Sequence, residues 1–524
     1  MRVLVRVKRY ALALAILLLL ASAVFAKDYI EVWPEGWSEI TPLFGTSIFA
    51  DRFFVVQDDA GTSFLSVDGL YFKELDLTYR LIQEHTVVEE VVLRPRAEIE
   101  SAFLGADSSH KRYALWIERS PAGNSVNLTT FEVPYEGHES AAMVQTTNAI
   151  QDLAAFQMDK TTYVVWSERD TFFQIRYAKI VDGTVVVTET VTGTPDISIR
   201  PNIVVDDTGT IHIAWMETTE SGVEIRYSRR LDDGWSVPRV VGEGSVQDIQ
   251  QGGRIAMATF DDEVCLAWSA MPRTSSRLAV FMARVNALGE LSVATPVALG
   301  TKVQFVTGVQ QPEIVWQGVG TFGAQVNYRD QNGDITNLTV GRKGAFRPEA
   351  YGQEDFRYVY WLQAEPDGRF VVHGINSEFP KAMSLWRRVG LDEKSPFYHL
   401  VFLFMSTFML AAVYTITNLG VLAAAGVIWA LLQRIGAYRR QGVFYQIAIL
   451  SVLILVVRRL PIPAVSPRFF GIVHHGLSYA LATLGTFVIL RKVRQKGLFL
   501  TIGILILWMV LYSFFALVPQ TILR

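Results

Sequence analysis

The chain has 524 residues, half of them hydrophobic, and a formal net charge of −3. This near-neutral total hides an uneven distribution. Residues 1–26 and residues 397–524 contain four and eleven basic residues and no acidic ones, whereas residues 27–396 contain 33 basic against 51 acidic residues. The acidic middle argues against nucleic acid as its partner, because phosphate binding requires clustered positive charge. The single cysteine, Cys265, excludes an intrachain disulfide.

Residues 1–26 have the features of a secretory signal. Four basic residues precede the apolar run Ala11–Phe25, and the small residues Ala23 and Ala26 form a cleavage-like end. The sequence therefore predicts export, with residues 1–26 as a signal peptide or as an uncleaved signal anchor.

A tryptophan recurs through the middle of the chain at intervals of 45 to 53 residues. Its positions are Trp116, Trp166, Trp215, Trp268, Trp316 and Trp361. Each follows a short β-rich run, and a second run with a turn precedes several of them, as in Asn202–Val205 followed by Asp206–Gly209. A third run carries an aromatic residue 11 to 13 positions later, at Tyr177, Tyr227, Phe281 and Tyr328.

Four short strands per unit of about fifty residues is typical of a β-propeller blade. The stretch Phe53–Gly61 lacks the tryptophan but is correctly spaced for one more blade. We therefore expect residues 27–396 to form an all-β propeller of six to seven four-stranded blades, with seven preferred. Pairing of the segment Asp28–Trp33 with the last blade is expected to close the ring, since an open ring leaves unpaired strand edges. An array of β-sandwiches is the alternative, although a sandwich needs about twice this period.

The repeat around Arg200–Trp215 and Tyr227–Pro238 resembles those of the sialidase-like, BNR-type propellers. The full Asp-box turn of that family, Ser-x-Asp-x-Gly-x-x-Trp, does not occur in the chain. The resemblance implies the propeller architecture over roughly residues 45–380.

Sialidases of that family use three arginines to hold a carboxylate, a tyrosine activated by a glutamate as nucleophile, and an aspartate as acid/base. Arg200 precedes a proline as one family arginine does, but Arg94 and Arg347 precede prolines as well, so the sequence assigns no catalytic residue. Hydrolysis also requires two carboxyl groups at a defined separation, which the sequence does not supply. No cofactor-binding or metal-binding motif is present in the sequence.

Three successive tryptophans are followed two residues later by a glutamate: Glu118, Glu168 and Glu217. Equivalent positions in a propeller are related by rotation, so these carboxylates are expected on an arc at one end of the axis. They are the candidate ligand-binding residues, for a cation or a basic ligand. The alternative is that they are solvated turn residues, and later units have Ala270, Gly318 and Gln363 there.

Residues 397–524 predict a transmembrane domain of about four helices. Residues 398–432 contain no charge, and three further apolar stretches follow at 443–457, 469–490 and 498–518. With the propeller outside and four spans, the inside loops hold seven basic residues against three outside, as the positive-inside rule requires. Splitting the first stretch into two spans would invert this bias.

The sequence thus predicts a multi-pass protein of the cell membrane with a large extracytoplasmic propeller. The preferred function is a binding or assembly module for an extracellular protein or glycan, with the bilayer and other membrane proteins as further partners. The alternatives are a tethered sialidase-like glycoside hydrolase and a ligand-capturing subunit of a transporter or sensor.

Overall fold

The computed structural model describes residues 33–382, with gaps at 47–52, 59, 72–73, 107–110, 194, 251–252, 273–276, 320–322, 340–343, 354 and 366–368, and also Ala482. The predicted signal segment and the predicted membrane spans lie outside the described residues. Across the part of the chain that is described, no helix has both the length and the apolar character needed to span a membrane.

Antiparallel strands make up nearly all of the described chain. The first two four-stranded groups share one long strand, β5, whose first half pairs with β4 and whose second half pairs with β6. Blade 1 contains β2 (Phe53–Asp58), β3 (Gly61–Tyr71), β4 (Glu74–Gln83) and the first half of β5 (Thr86–Ala106). Blade 2 contains the rest of β5, β6 (Arg112–Ser120), β7 (Gly123–Phe131) and β8 (Glu139–Thr146).

The next three blades each have their own sheet. Blade 3 contains β9 (Ala149–Met158), β10 (Thr161–Arg169), β11 (Phe173–Val181) and β12 (Thr184–Thr190). Blade 4 contains β13 (Ile197–Val205), β14 (Ile211–Thr219), β15 (Gly222–Leu231), β16 (Gly234–Trp235) and β17 (Arg239–Glu243), and is followed by the short helix α1 (Val246–Gln250). Blade 5 contains β18 (Ala256–Phe260), β19 (Glu263–Ala270), β20 (Ala279–Val285) and β21 (Thr295–Leu299).

The last two blades complete the series. Blade 6 contains β22 (Thr301–Phe305), β23 (Ile314–Val319), β24 (Ala324–Arg329) and β25 (Ile335–Asn337). Blade 7 contains β26 (Ala345–Gln353), β27 (Phe356–Ala364) and β28 (Phe370–Asn376), and its fourth strand is β1 (Thr41–Thr46) from the start of the described chain.

The first strand of each blade contacts the first strand of the next, and β26 of blade 7 contacts β2 of blade 1. In blade 2 this innermost strand is the second half of β5. The described residues therefore form a closed ring of seven blades, which is a β-propeller. The blade that begins at Phe53 is confirmed, and the preferred count of seven is the observed one.

An N-terminal strand closes the ring, but it is β1 rather than the expected segment Asp28–Trp33. β1 pairs antiparallel with β28, where Thr41 faces Gly374 and Thr46 faces Phe370. Of the expected segment only Trp33 is described, and its indole N–H donates to the carbonyl of Lys381 at 2.9 Å. Residues near the start and near the end of the range 33–382 therefore contact each other at blade 7.

In blades 2 to 5 the second strand is the most deeply buried, because neighbouring blades cover both of its faces. The corresponding strands of blades 6 and 7 also carry a landmark tryptophan. All six landmark tryptophans lie on such strands and are at most 2% exposed. Apolar clusters fill the spaces between successive blades, as between blades 3 and 4 and between blades 4 and 5. Burying one tryptophan removes roughly 200 Å² from water, which is worth about 5 kcal/mol and explains why this residue marks the repeat.

Candidate functional site

The two faces of the propeller differ in which turns they carry. The innermost strands begin at one face, here called the entry face, which also carries the turns between the second and third strands. The turns between the first and second strands and between the third and fourth strands lie at the opposite face. A side chain near the start of an innermost strand is therefore close to both the axis and the entry face.

A cavity of about 350 Å³, the axial pocket, lies where several innermost strands begin. Basic residues from blades 4, 6 and 7 and from the segment that links blades 4 and 5 line it: Arg200, Lys302, Arg347 and, from that segment, Arg254. Its acidic lining residues are Glu100, Asp152 and Glu349. The basic side of the pocket is thus on blades 4 to 7, and the acidic residues come from blades 2 and 3 and, close to Arg347 in the chain, from blade 7.

Repeated β-bulges place four of these charged residues. In blades 3, 4, 6 and 7 two residues of the innermost strand lie opposite the single landmark tryptophan, and the first of the two has a positive φ. These first residues are Asp152 (φ 58°), Arg200 (55°), Lys302 (54°) and Arg347 (53°). A bulge bends the strand and redirects a side chain. A positive φ is strained for a residue with a Cβ, and such strain is concentrated at functional sites.

The guanidinium of Arg200 is held by the segment that links blades 4 and 5. Its Nη2 donates to the carbonyl of Ile249 at 2.8 Å, and its Nη1 donates to the carbonyl of Gly253. The backbone N–H of Arg200 donates to Asp152 Oδ2 at 3.3 Å. From the same linking segment, Arg254 Nη1 donates to the carbonyl of Leu153 at 3.3 Å. These contacts hold two of the basic groups in defined positions.

A buried carboxyl group, Asp248, lies in this segment. Its side chain accepts a hydrogen bond from Thr301 Oγ1 at 2.9 Å, and its backbone carbonyl accepts one from the N–H of Gly253 at 2.8 Å. Burial raises the pKa of Asp248 to about 6, against the opposing effects of Thr301, Ser269, Arg200 and Lys302. The second carboxylate oxygen, Oδ2, has no hydrogen-bond partner among the described residues.

The three candidate glutamates, Glu118, Glu168 and Glu217, all lie near the ends of second strands and hence at the entry face, as expected. They are strand residues rather than turn residues, because each strand continues past its tryptophan. Each accepts the indole N–H of its own tryptophan, at 3.1 to 3.3 Å.

Each candidate glutamate also pairs with a different arginine. The pairs are Glu118 with Arg94 at 2.5 Å, Glu168 with Arg176 at 3.6 Å and Glu217 with Arg226 at 3.1 Å. Within residues 33–382 as described, no three His, Cys, Asp or Glu side chains come together as a metal site. Arg176 and Arg226 lie in the same blades as their glutamates, whereas Arg94 belongs to blade 1 and Glu118 to blade 2. The structure does not gather the three glutamates into one site.

The three arginines that precede prolines have different positions. Arg200 and Arg347 line the axial pocket. Arg94, on the first half of β5, forms two hydrogen bonds with Glu118, which raise its pKa and hold the pKa of Glu118 below its usual range against the effect of burial.

Sequence reasoning missed Asp152, Arg254, Lys302 and the other lining residues. A signal was present, since a charged residue precedes the landmark tryptophan by 14 or 15 positions in five blades. These five residues are Asp152, Arg200, Arg254, Lys302 and Arg347. Only the structure shows that residues at this position lie close to the propeller axis and line the axial pocket.

Two hydrogen-bonded tyrosine clusters lie at the opposite face. Tyr328 donates to Glu313 Oε2 at 2.6 Å, and Arg357 Nε donates to the same oxygen. His212 lies between Tyr227 and Asp206, at 2.7 and 3.0 Å, and burial lowers its pKa although Asp206 opposes this. Burial raises the pKa of both tyrosines. The clusters connect the turns after the innermost strands to the third strands.

A larger cavity of about 640 Å³ lies at the same opposite face, between blades 7 and 1. Aromatic and uncharged polar side chains dominate its lining, with Glu84 and Glu378 as the acidic residues, and no Lys or Arg is among the described residues that line it. We take the smaller axial pocket as the candidate site, because charged side chains from five blades and from the segment before blade 5 converge there.

No protein-family model matches the chain, and neither does any curated protein sequence. Solved structures with a similar chain path include a Trypanosoma rangeli sialidase in complex with the inhibitor DANA (9% identity, TM-score 0.37), over 66% of this chain and 60% of the sialidase. A polysaccharide lyase matches with 11% identity and a TM-score of 0.41, over 66% of this chain and 93% of the lyase. A Dyadobacter fermentans protein of unknown function matches with 9% identity and a TM-score of 0.39, over 53% of this chain and 94% of that protein. The matched part thus spans less than two thirds of the trypanosome sialidase.

Proposed function

We propose that the propeller is a non-enzymatic binding module whose axial pocket recognises a carboxylate-bearing saccharide, such as a sialic or uronic acid. The observation that carries this proposal is the convergence of Arg200, Arg254, Lys302 and Arg347 on one pocket. Guanidinium groups bind carboxylates through paired, charge-assisted hydrogen bonds.

The other side of the pocket supports a saccharide over a simple anion. Glu100, Asp152 and Glu349 add carboxylate oxygens that can also accept hydroxyl or amide donors of a ligand, beside the existing contacts of Glu100 with Arg119 at 2.8 Å and of Asp152 with the backbone N–H of Arg200. A volume of about 350 Å³ is at the small end of the roughly 300–1,000 Å³ range of small-molecule sites, which suits one sugar unit.

A tethered glycoside hydrolase is the second candidate. The pocket has carboxyl groups and arginines, which both functions need. However, no tyrosine is among the described residues that line the pocket, and the Tyr328–Glu313 pair is at the opposite face. A tyrosine nucleophile next to the bound saccharide therefore has no support from the described residues, and binding is the preferred function.

The proposal includes the predicted membrane anchoring. Residues 27–396 would be the extracytoplasmic propeller, residues 1–26 a signal or anchor, and residues 397–524 the membrane domain. In this arrangement the saccharide belongs to an extracellular glycan or glycoprotein, and other membrane proteins are partners of the helices. A ligand-capturing subunit of a transporter or sensor would use the same pocket and differ in coupling ligand binding to the helices.

The test uses the full chain in detergent with N-acetylneuraminic acid and glucuronic acid as probes, measured by calorimetry, and with a fluorogenic sialoside for turnover. Arg347→Gln is expected to weaken binding at least tenfold, because it removes a charge-assisted interaction. Arg94→Gln is the matched control, since Arg94 also precedes a proline but lies outside the pocket, and it should leave binding unchanged. Turnover of the sialoside by the wild-type chain would show that the function is hydrolysis rather than binding alone. If neither acid binds, the proposal is refuted.

A further inference from the structure

Asp248 lies directly behind the basic side of the axial pocket. The carbonyls of Ile249 and Gly253, which hold the Arg200 guanidinium, belong to the same linking segment and follow Asp248 in the chain. The segment is packed so tightly that a Cβ added at Gly253 would lie 2.0 Å from Asp248 Oδ2. Asp248 itself is fully buried. A change in the charge of this carboxyl group therefore acts on the pocket at close range.

The charged groups that face Asp248 are both pocket residues. Arg200 from β13 and Lys302 from β22 act on it electrostatically, whereas Thr301 of β22 and Ser269 of β19 contribute uncharged hydroxyls. Helix α1 has no other charged residue. An ionised Asp248 offsets part of the positive charge that a bound anion would meet, and a protonated Asp248 does not.

We propose that Asp248 regulates the axial pocket as a proton-sensitive counter-charge, so that an anionic ligand binds more tightly when this carboxyl group is protonated. This inference rests on the proposed function of the pocket. The ligand and the Asp248 carboxylate compete for the same basic groups, and by linkage a ligand that favours the protonated form binds more tightly as the pH falls. Burial brings this transition to mildly acidic pH.

The decisive measurement is the dissociation constant of N-acetylneuraminic acid for the full chain between pH 5 and pH 7.5. A carboxylate with an ordinary pKa remains ionised throughout this range. We expect the wild-type affinity to rise by about tenfold toward pH 5, which corresponds to a coupling of one pKa unit. Asp248→Asn keeps the shape and removes the charge, so it should bind tightly at every pH.

Two further variants separate regulation from damage to the fold. Thr301→Val removes the hydrogen bond that lowers the pKa of Asp248, so the midpoint of the affinity change should move to higher pH. Glu220→Gln removes the same charge from the exposed turn after β14 and should leave the profile unchanged. A pH profile that Asp248→Asn and Thr301→Val leave unchanged would overturn the inference alone, whereas no binding at any pH would refute the proposed function.

Discussion

Trp166 donates its indole N–H to the carboxylate of Glu168, which lies two residues further along the same strand at a distance of 3.1 Å. Alternate residues of a strand point to the same face, so a carboxylate two positions on can satisfy the only polar group of a buried tryptophan. Glu118 and Glu217 do the same for their tryptophans, and Gln363 does so for Trp361. The conspicuous Trp-x-Glu pattern is therefore part of how the blades are built.

The three glutamates should differ in their effect on stability. Glu217 is 1% exposed. Glu217→Ala removes the hydrogen-bond acceptor of the Trp215 indole and the carboxylate that pairs with the buried Nε of Arg226. We therefore expect the free energy of unfolding to fall by about 3 kcal/mol. Glu118→Ala should cost less, about 1–2 kcal/mol, because the side chain of its partner Arg94 is 46% exposed, although the indole of Trp116 also loses its acceptor. Denaturation followed by tryptophan fluorescence measures both; equal losses would contradict this assignment.

The same three residues provide a test of the ligand hypothesis derived from the sequence. A triple Glu→Gln variant keeps an acceptor for each indole and removes three charges. Because the axial pocket is lined by other residues, this variant should bind N-acetylneuraminic acid like the wild-type chain. Loss of saccharide or Ca²⁺ binding in the triple variant would restore Glu118, Glu168 and Glu217 as binding residues.

The blades could be predicted from the sequence because each contains a landmark that packing requires. A buried tryptophan recurs at a regular interval along the sequence and so marks each unit. The spacing alone also predicts the blade at Phe53, which lacks this tryptophan. The axial pocket could not be predicted in this way. Its side chains depend on two-residue bulges, as at Arg200-Pro201 and Lys302-Val303, and a bulge shifts the register without any obligatory residue type.

Closure of the ring shows the same limit. The sequence indicated that an N-terminal strand completes the last blade, since an exposed edge must be covered. Asp28–Trp33 and Thr41–Thr46 both have apolar residues that suit a strand, and pattern alone does not separate them. In the structure β1 completes the last blade, and the ring of Phe44 packs edge-on against Phe64 of blade 1 at 5.2 Å.

Phe44→Ala should therefore weaken closure of the ring. Phe44 is buried between blades 7 and 1, and the guanidinium of Arg80 lies 4.7 Å from its ring centre. The expected loss is about 3–5 kcal/mol, with faster proteolysis near β1. Leu299→Ala, on the outer strand of blade 5 with 54% of the side chain exposed, is the control and should be nearly neutral. A neutral Phe44→Ala would show that β1 does not hold the ring together.

Gly253→Ala should disturb the axial pocket through its geometry. The added Cβ would lie 2.0 Å from Asp248 Oδ2, so either the Asp248 carboxyl group or the backbone of Gly253, whose carbonyl holds Arg200, must move. Overpacking of this kind costs about 1–3 kcal/mol, and binding of N-acetylneuraminic acid should weaken severalfold. Gly193→Ala is the control, because a Cβ there meets nothing within 4 Å. Unchanged binding by Gly253→Ala would show that the linking segment does not position the pocket.

The raised pKa of Asp248 also makes the stability of the fold depend on pH. The native state keeps this proton up to about pH 6, whereas the unfolded state loses it near the ordinary value of 3.8, so the native state binds more protons in between. The free energy of unfolding therefore falls as the pH rises from 4 to 7, by on the order of 3 kcal/mol for this group. His212, with its lowered pKa, contributes a slope of the opposite sign, since its unfolded state binds more protons near pH 6.

The difference in denaturation midpoint between the wild-type chain and Asp248→Asn isolates the Asp248 contribution. We expect the variant to gain stability relative to the wild-type chain as the pH rises to 7, and parallel pH profiles would show that Asp248 is ionised in the folded protein throughout.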